Sequence, residues 1–416
     1  MSDLILKNAR AYIEGGLVDT DIRIEDGKIV EIKKDLHGEH DLLLDLKGLI
    51  LLPGAIDVHV HMRDGKEAYK EDWFTGTSAA AAGGVTTVVD QPNTDPPIIT
   101  RKRLDERISK ASSQAVVDFL INGGVDKLEN FRELYEGGVR AFGEIFQYRF
   151  EPDSLKAILD KIWELGAIAT IHPEKKLCVE KDPLRPPVCE IEGIKDVLSL
   201  NRWGRMHFCH VSVPQGVDLI KSGGGSATLE VTPHHLFLCD KNRDRLGGYG
   251  WMNPPLRSDA DRKGLWERVD NIDIVASDHA PHTHEEKLGD NPPPGVPGVE
   301  TMVPLMLREV KEGNLSLKRL VELVSEKPAS IFGLGKYGKR GINVGSDADL
   351  IVVDMQEEKV IRGDELHSKC RWTPYEGMIG IFPQMTLVRG EVVYEAGAVI
   401  GGSGRYLPSL SHFDRW

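Results

Sequence analysis

The chain has 416 residues, and 52 Lys and Arg against 65 Asp and Glu leave a net charge of −13. That length accommodates two or three ordinary domains, or one (β/α)8 barrel with a smaller addition. Hydrophobic residues at 40% can fill a core, and the acidic balance argues against non-specific binding to nucleic acid or anionic lipid, which need a basic surface.

Residues 3–47 read as short strands and turns: Leu4-Ile5-Leu6, Ile22-Arg23-Ile24, a hairpin turn at Asp26-Gly27, then Ile29-Val30-Glu31-Ile32. From Leu49 the texture changes. Eight apolar runs follow: 56–61, 85–90, 116–121, 139–146, 167–171, 206–211, 227–231 and 272–276. Helix-like stretches separate or follow them, as at 70–82, 153–165, 190–201 and 300–312. Such alternation predicts βαβ units and a parallel sheet. Eight repeats predict a closed barrel, with a doubly wound open sheet as the alternative. After about residue 340 strands and turns return, at 345–354 and 385–394. Each end is too short for a good core of its own. The expected fold is therefore α/β: a (β/α)8 TIM barrel over 51–340, with 1–50 and 341–416 forming one composite β-sandwich domain. Residues 401–416 read as a loose tail.

The sharpest motif is Asp57-Val58-His59-Val60-His61. Alternate strand residues point the same way, so His59 and His61 can reach one ion together, although packing alone is the commoner explanation for such a pair. His172, His210, Asp278 and Glu144 fall at or just after the ends of other runs. In a barrel these positions share the carboxyl face, where active sites form. Imidazole with carboxylate suits zinc (Zn2+) or a similar divalent ion. His207 stands three residues before His210, an odd offset that places it on the outer face as packing. His234-His235 are expected to be structural.

At this point the chain resembles the amidohydrolase superfamily and, within it, the dihydroorotases. The resemblance covers nearly the whole chain. It rests on His59-Val60-His61-Met62-Arg63, Lys70-Glu71-Asp72-Trp73, Ala81-Ala82-Gly83-Gly84-Val85-Thr86-Thr87-Val88, Pro92-Asn93-Thr94, His210-Val211-Ser212, Glu230-Val231-Thr232-Pro233-His234-His235-Leu236, Asn253-Pro254-Pro255-Leu256-Arg257 and Ser277-Asp278-His279-Ala280-Pro281-His282. It implies a barrel with a composite β-sandwich. It also implies reversible conversion of N-carbamoyl-L-aspartate to L-dihydroorotate in pyrimidine synthesis. By this resemblance His59, His61 and Asp278 hold a first metal, and His172 and His210 a second. Asp278 is also the general base. Arg63 grips the substrate carboxylate with Asn93, Asn253 and His282 contact the ring's amide and carboxylate groups, and Gly298 offers backbone to the ring.

The chain departs from the family pattern in two places. Many relatives bridge two metals with a carbamylated lysine on the fourth strand, but this chain has Arg140-Ala141-Phe142-Gly143-Glu144 there and no lysine between Lys127 and Lys156. Some dihydroorotases use an aspartate in this place. Glu144 is expected to supply the bridging carboxylate, with an outward-facing glutamate paired to Arg140 or Arg149 as the alternative. Asp64-Gly65-Lys66 stands where the family usually has Glu-Pro-Gly. The rival activities are hydantoinase/dihydropyrimidinase and allantoinase, and beyond enzymes a metal-free scaffold on the same fold. Partner expectations are a small-molecule substrate, a homodimer and association with aspartate transcarbamoylase, with no nucleic acid and no membrane. Five irregularly spaced cysteines without a CxxC pair, and an N-terminus without a signal-peptide pattern, point to the cytoplasm.

Overall fold

The computed structural model describes all residues except 1–2, 39, 183, 201–203, 225, 403 and 409–416. Each of the eight runs becomes a strand: Ala55–Val60, Val85–Asp90, Asp118–Ile121, Ala141–Phe146, Ile168–His172, Met206–Phe208, Ala227–Val231 and Ile274–Val275. The first three pair in parallel, and so do the last five. Two parallel bridges join the sets, Gly123 to Phe142 and Val60 to His279. The His61 N–H donates to the His279 carbonyl at 2.8 Å and the Gly143 N–H to the Gly123 carbonyl at 2.9 Å. The sheet is therefore closed, and the open doubly wound alternative falls.

The strands read as continuous apolar runs because both of their faces are covered. Val85-Thr86-Thr87-Val88-Val89-Asp90 is buried throughout. Neighbours along a strand alternate between two cores. Val89, Leu120, Ala141, Ile168 and Ile274 share one cluster with Phe332, Leu334 and Tyr337. Val88, Phe119, Ile121, Phe142, Ala169 and Ile171 pack with the helices. Helices at Trp73–Ala82, Pro152–Glu164, Pro187–Leu200 and Met302–Glu312 lie where the sequence places them.

The chain ends form one sheet. Leu4–Ile13, Gly16–Glu25, Lys28–Lys33 and Ile50–Pro53 join Leu350–Val353, Met385–Val388, Glu391–Glu395 and Ala398–Val399. The seam is the antiparallel pairing of Ile50–Pro53 with Leu350–Val353. Asp26 and Gly27 have φ of 49° and 79°, the left-handed pair that a tight hairpin turn requires. A buried ionic knot ties this sheet to the third barrel strand. Lys339 Nζ donates to Asp118 at 2.6 Å and to Asp349 at 2.5 Å, with Asp347 at 3.2 Å. A lysine thus occupies that carboxylate cluster.

The tail differs from expectation. Gly404 N–H donates to the Ala115 carbonyl, Phe119 N–H to the Arg405 carbonyl, and Leu407 is fully buried. Residues 404–408 are therefore strapped along the third barrel strand, with Tyr406 and Leu407 buried against it. The remainder of the expected loose tail, from 409, lies outside the described residues.

Candidate metal centre

The first strand delivers two imidazoles. His59 Nδ1 pairs with Glu230 Oε1 at 2.5 Å. Its Nε2 is then left 3.5 Å from Asp278 Oδ1 and 3.8 Å from Glu144 Oε2, buried and without a hydrogen-bond partner among the described residues. His61 Nδ1 pairs with Asn93 Oδ1 at 2.9 Å, and its Nε2 lies 3.1 Å from Asp278 Oδ1. On the fifth strand His172 Nε2 pairs with Glu174 Oε2 at 2.5 Å, which leaves Nδ1 2.7 Å from Glu144 Oε1 and 3.1 Å from His210 Nε2. His210 Nε2 lies 2.6 Å from the same Glu144 oxygen. Glu144 thus stands in two groups of ligand atoms lying within 4.8 Å of one another: His59–His61–Glu144 and Glu144–His172–His210.

The side chains behind these imidazoles decide which ring nitrogen faces inward. Glu230, Glu174 and Asn93 each take the far nitrogen, the usual arrangement behind metal-binding histidines. The inner donors are imidazole nitrogens and carboxylate oxygens, a set that suits a divalent ion. The partnerless, buried His59 Nε2 fits the same reading, since such an atom costs stability unless something binds it.

Charge follows this geometry. Burial works to raise the Asp278 carboxyl, but His59, His61 and His210 together hold it below its ordinary value. Burial opposes ionisation of Glu144 too, and the bonds from His172 and His210 outweigh it. Burial disfavours the His172 cation, yet Glu174 and Glu144 lift that imidazole to about 9. In the metal-free protein His172 therefore keeps its proton at neutral pH, and a metal ligand must give it up. Metal affinity should rise with pH up to about 9, where His172 loses its proton, with protons released on binding below that. Calorimetry of metal into the metal-free protein, in buffers of different ionisation enthalpy, measures that release; a titration with none would contradict it.

Four residues around the site have positive φ, as do nine other non-glycine residues among those described. Arg63, Asp64, His210 and Asp278 have φ of 45°, 62°, 36° and 47°. Left-handed backbone is strained for side-chain-bearing residues and concentrates at functional sites.

The substrate-side residues converge unevenly. Arg63 Nε donates to the Pro281 carbonyl at 3.2 Å, and its Nη2 lies 3.1 Å from His282 Nε2. Burial and the Arg63 charge push His282 down to about 3, so it is neutral beside the guanidinium. Asn93 commits its Oδ1 to His61, which leaves the exposed amide nitrogen for a carboxylate. Asn253 is half-buried before Pro254, whose carbonyl pairs with His235 Nε2 at 3.1 Å. The Gly298 N–H donates to His279 Nδ1 at 3.2 Å, so only its carbonyl, already accepting from Thr301 and Met302, remains to face a ring.

Glu144 points inward. Arg140 instead donates to the Tyr135 and Val139 carbonyls, and Arg149 stacks on Phe146. Of the pair expected to be structural, His235 is held by Thr232 Oγ1 at 2.8 Å and Pro254, whereas both ring nitrogens of His234 are buried without a hydrogen-bond partner among the described residues. The outward placement of His207 is corrected: its Nε2 pairs with Glu230 Oε2 at 3.0 Å and its Nδ1 with Thr228 Oγ1 at 2.9 Å, on the side of the strand that faces His59. The offset argument fails because the strand stops at Phe208 and His210 lies beyond it in left-handed backbone. Sequence reasoning gave no role to Glu174 or Glu230. The one available signal was spacing, an acid two residues after His172 and one on the seventh strand.

Comparison with known proteins gives the chain's family. Residues 50–393 match the amidohydrolase family. The chain is 42% identical to a dihydroorotase of Methanosarcina acetivorans, across 97% of this chain and 95% of the relative. It is 41% identical to one of Pyrococcus furiosus, across 91% and 90%. Among solved structures, the L-hydantoinase (dihydropyrimidinase) of Arthrobacter aurescens aligns with a TM-score of 0.92 at 31% identity, covering 98% of this chain and 99% of that one. A match running from the seam strand of the sandwich through the whole barrel, with histidines and acids gathered at the strands' carboxyl ends, makes the chain a member of the amidohydrolase family of enzymes.

Proposed function

We propose that the protein is a dihydroorotase, which closes N-carbamoyl-L-aspartate to L-dihydroorotate and reopens the ring with water, a step of pyrimidine synthesis. The observation that carries this reading is Arg63. Its guanidinium stands beside the neutral His282 at the edge of the imidazole–carboxylate cluster. Dihydroorotate bears a carboxylate that the reaction leaves untouched, and a guanidinium binds carboxylate with two hydrogen bonds. The curated relatives named above support the same substrate.

His59, His61, Glu144, His172, His210 and Asp278 would hold zinc, as one or two ions, and bound zinc would acidify water and polarise the ring carbonyl. Asp278 is the general base. Its Oδ1 lies 3.1 Å from His61 Nε2 and 3.5 Å from His59 Nε2, facing the cluster, so it can accept a proton from the attacking water. It then returns that proton to the ring nitrogen as the amide bond breaks. In the closing direction it takes the proton from the ureido nitrogen. Arg63, the Asn93 amide and His282 fix the carboxylate and Asn253 the ring, while the Gly298 N–H and carbonyl are both already bonded within the chain. The bulk charge of −13 repels an anionic substrate, so attraction is local to Arg63 and the metal.

The hydantoinase structures make hydantoin the sharpest rival substrate. Turnover of dihydroorotate, hydantoin and allantoin by metal-loaded protein decides the matter: dihydroorotate should be preferred, and preference for either other ring overturns the reading. A metal-free, inactive oligomer would indicate the scaffold instead. No helix among the described residues is long and apolar enough to cross a membrane. The five free cysteines support a reducing, cytoplasmic setting. A homodimer and association with aspartate transcarbamoylase complete the proposal; a pull-down that recovers no transcarbamoylase counts against the latter.

A further inference from the structure

Arg63 depends on the backbone beneath it. Met62, Arg63 and Asp64 leave the end of the first strand, and Arg63 and Asp64 both adopt left-handed backbone. Such a turn persists only where the surroundings dictate it. Here the surroundings are a buried ion pair. Asp90 ends the second barrel strand and is fully buried; Arg107 comes from the helix Arg101–Ser112 and is 7% exposed. Arg107 Nε and Nη2 donate to Asp90 Oδ2 at 3.0 and 2.7 Å.

Both partners then reach the turn. Asp90 Oδ1 accepts from the Met62 N–H at 2.8 Å. Arg107 Nη1 donates to the Arg63 carbonyl at 2.7 Å and lies 3.8 Å from Asp64 Oδ2. The guanidinium sits 4.8 Å from the Trp73 ring, which fixes its plane. One peptide group on each side of the Met62 and Arg63 side chains is therefore pinned, from two different elements of the barrel. Buried polar groups need partners in any case, but the partners here are the two peptide groups that bracket the Met62 and Arg63 side chains.

We infer that Arg107 and Asp90 are positioning residues for the substrate carboxylate: they hold the Met62–Arg63 backbone so that the Arg63 guanidinium stands beside Pro281 and His282. Neither residue touches the substrate. The inference rests on the reading of Arg63 given above. It also explains why an arginine is present at 107. A planar fork can bond Asp90 with one edge and the Arg63 carbonyl with another, whereas a lysine ammonium cannot span both.

The test is a double-mutant cycle of Arg107→Lys and Arg63→Met, with steady-state kinetics on dihydroorotate, metal content and thermal stability. Arg107→Lys alone should raise KM about ten- to a hundredfold, with kcat and metal content near those of the parent. In the Arg63→Met background it should add little, because the group it positions is gone. If Arg107→Lys fails to fold, Asp90→Asn takes its place with the same expectation. Additive effects, or a joint fall of kcat, metal content and stability, overturn the inference and leave the pair a structural ion pair. If Arg63→Met itself leaves KM unchanged, the carboxylate reading of Arg63 fails, and this inference falls with it for that separate reason.

Discussion

Asp278→Asn should lower kcat about 10²- to 10⁴-fold in both directions of the reaction, the usual contribution of a positioned general base. Asn keeps the shape and the hydrogen-bonding reach of the side chain but cannot accept a proton. The residue is singled out by placement: one oxygen lies 3.1 Å from His61 Nε2 and 3.5 Å from His59 Nε2, on a backbone at φ 47°. Its ionised form is favoured by those imidazoles despite burial. Steady-state rates with dihydroorotate and with carbamoyl aspartate measure the loss. Metal content must be measured on the same samples, because Asp278 also faces the metal cluster. A variant that keeps its metal and turns over within about threefold of the parent would remove Asp278 from the chemistry.

How far the sequence could be read depends on what each feature answers to. The eight barrel strands are legible because strands covered on both faces are buried along their length and rich in β-branched residues, and Val85–Asp90, with three valines and two threonines, shows this directly. The composite sheet is legible because neither end could bury a core alone; the seam between Ile50–Pro53 and Leu350–Val353 is its realisation. Side-chain phase is less legible. Strand periodicity assigns two residues to the same or opposite faces only while the strand continues. Met206–Phe208 ends before His210, so the argument that turned His207 outward counts through a break. The outer partners are harder still. Glu230, Asp90 and Arg107 acquire roles from side chains distant in sequence, and Glu174 stands only two residues from its partner His172, a spacing that carries no signal until His172 is known to face the cluster. The strapped segment 404–408 is similar: its bonds are made largely by backbone, and the buried Tyr406 and Leu407 are too few to stand out beside the Gly/Ser-rich stretch before them.

Glu144 carries the widest consequence, because the fourth strand, Ala141–Phe146, holds no lysine and Glu144 is its only acid. Its Oε1 lies 2.7 Å from His172 Nδ1 and 2.6 Å from His210 Nε2, and its Oε2 3.8 Å from His59 Nε2. One carboxylate therefore faces both halves of the cluster, which a bridging ligand must do. Glu144→Ala should release metal and lower turnover at least about a hundredfold, since it deletes the acid that the imidazoles share and leaves His172 and His210, 3.1 Å apart, without a common acceptor. Glu144→Asp keeps the charge on a shorter stem and should fall between. Metal analysis by mass spectrometry, beside kcat, separates the cases. Loss of all metal means the carboxylate holds the whole centre; loss of half means one of two ions depends on it. Full metal content at full rate would return Glu144 to the role of a buried acid paired with two histidines, and the bridge would have to be sought elsewhere in the site.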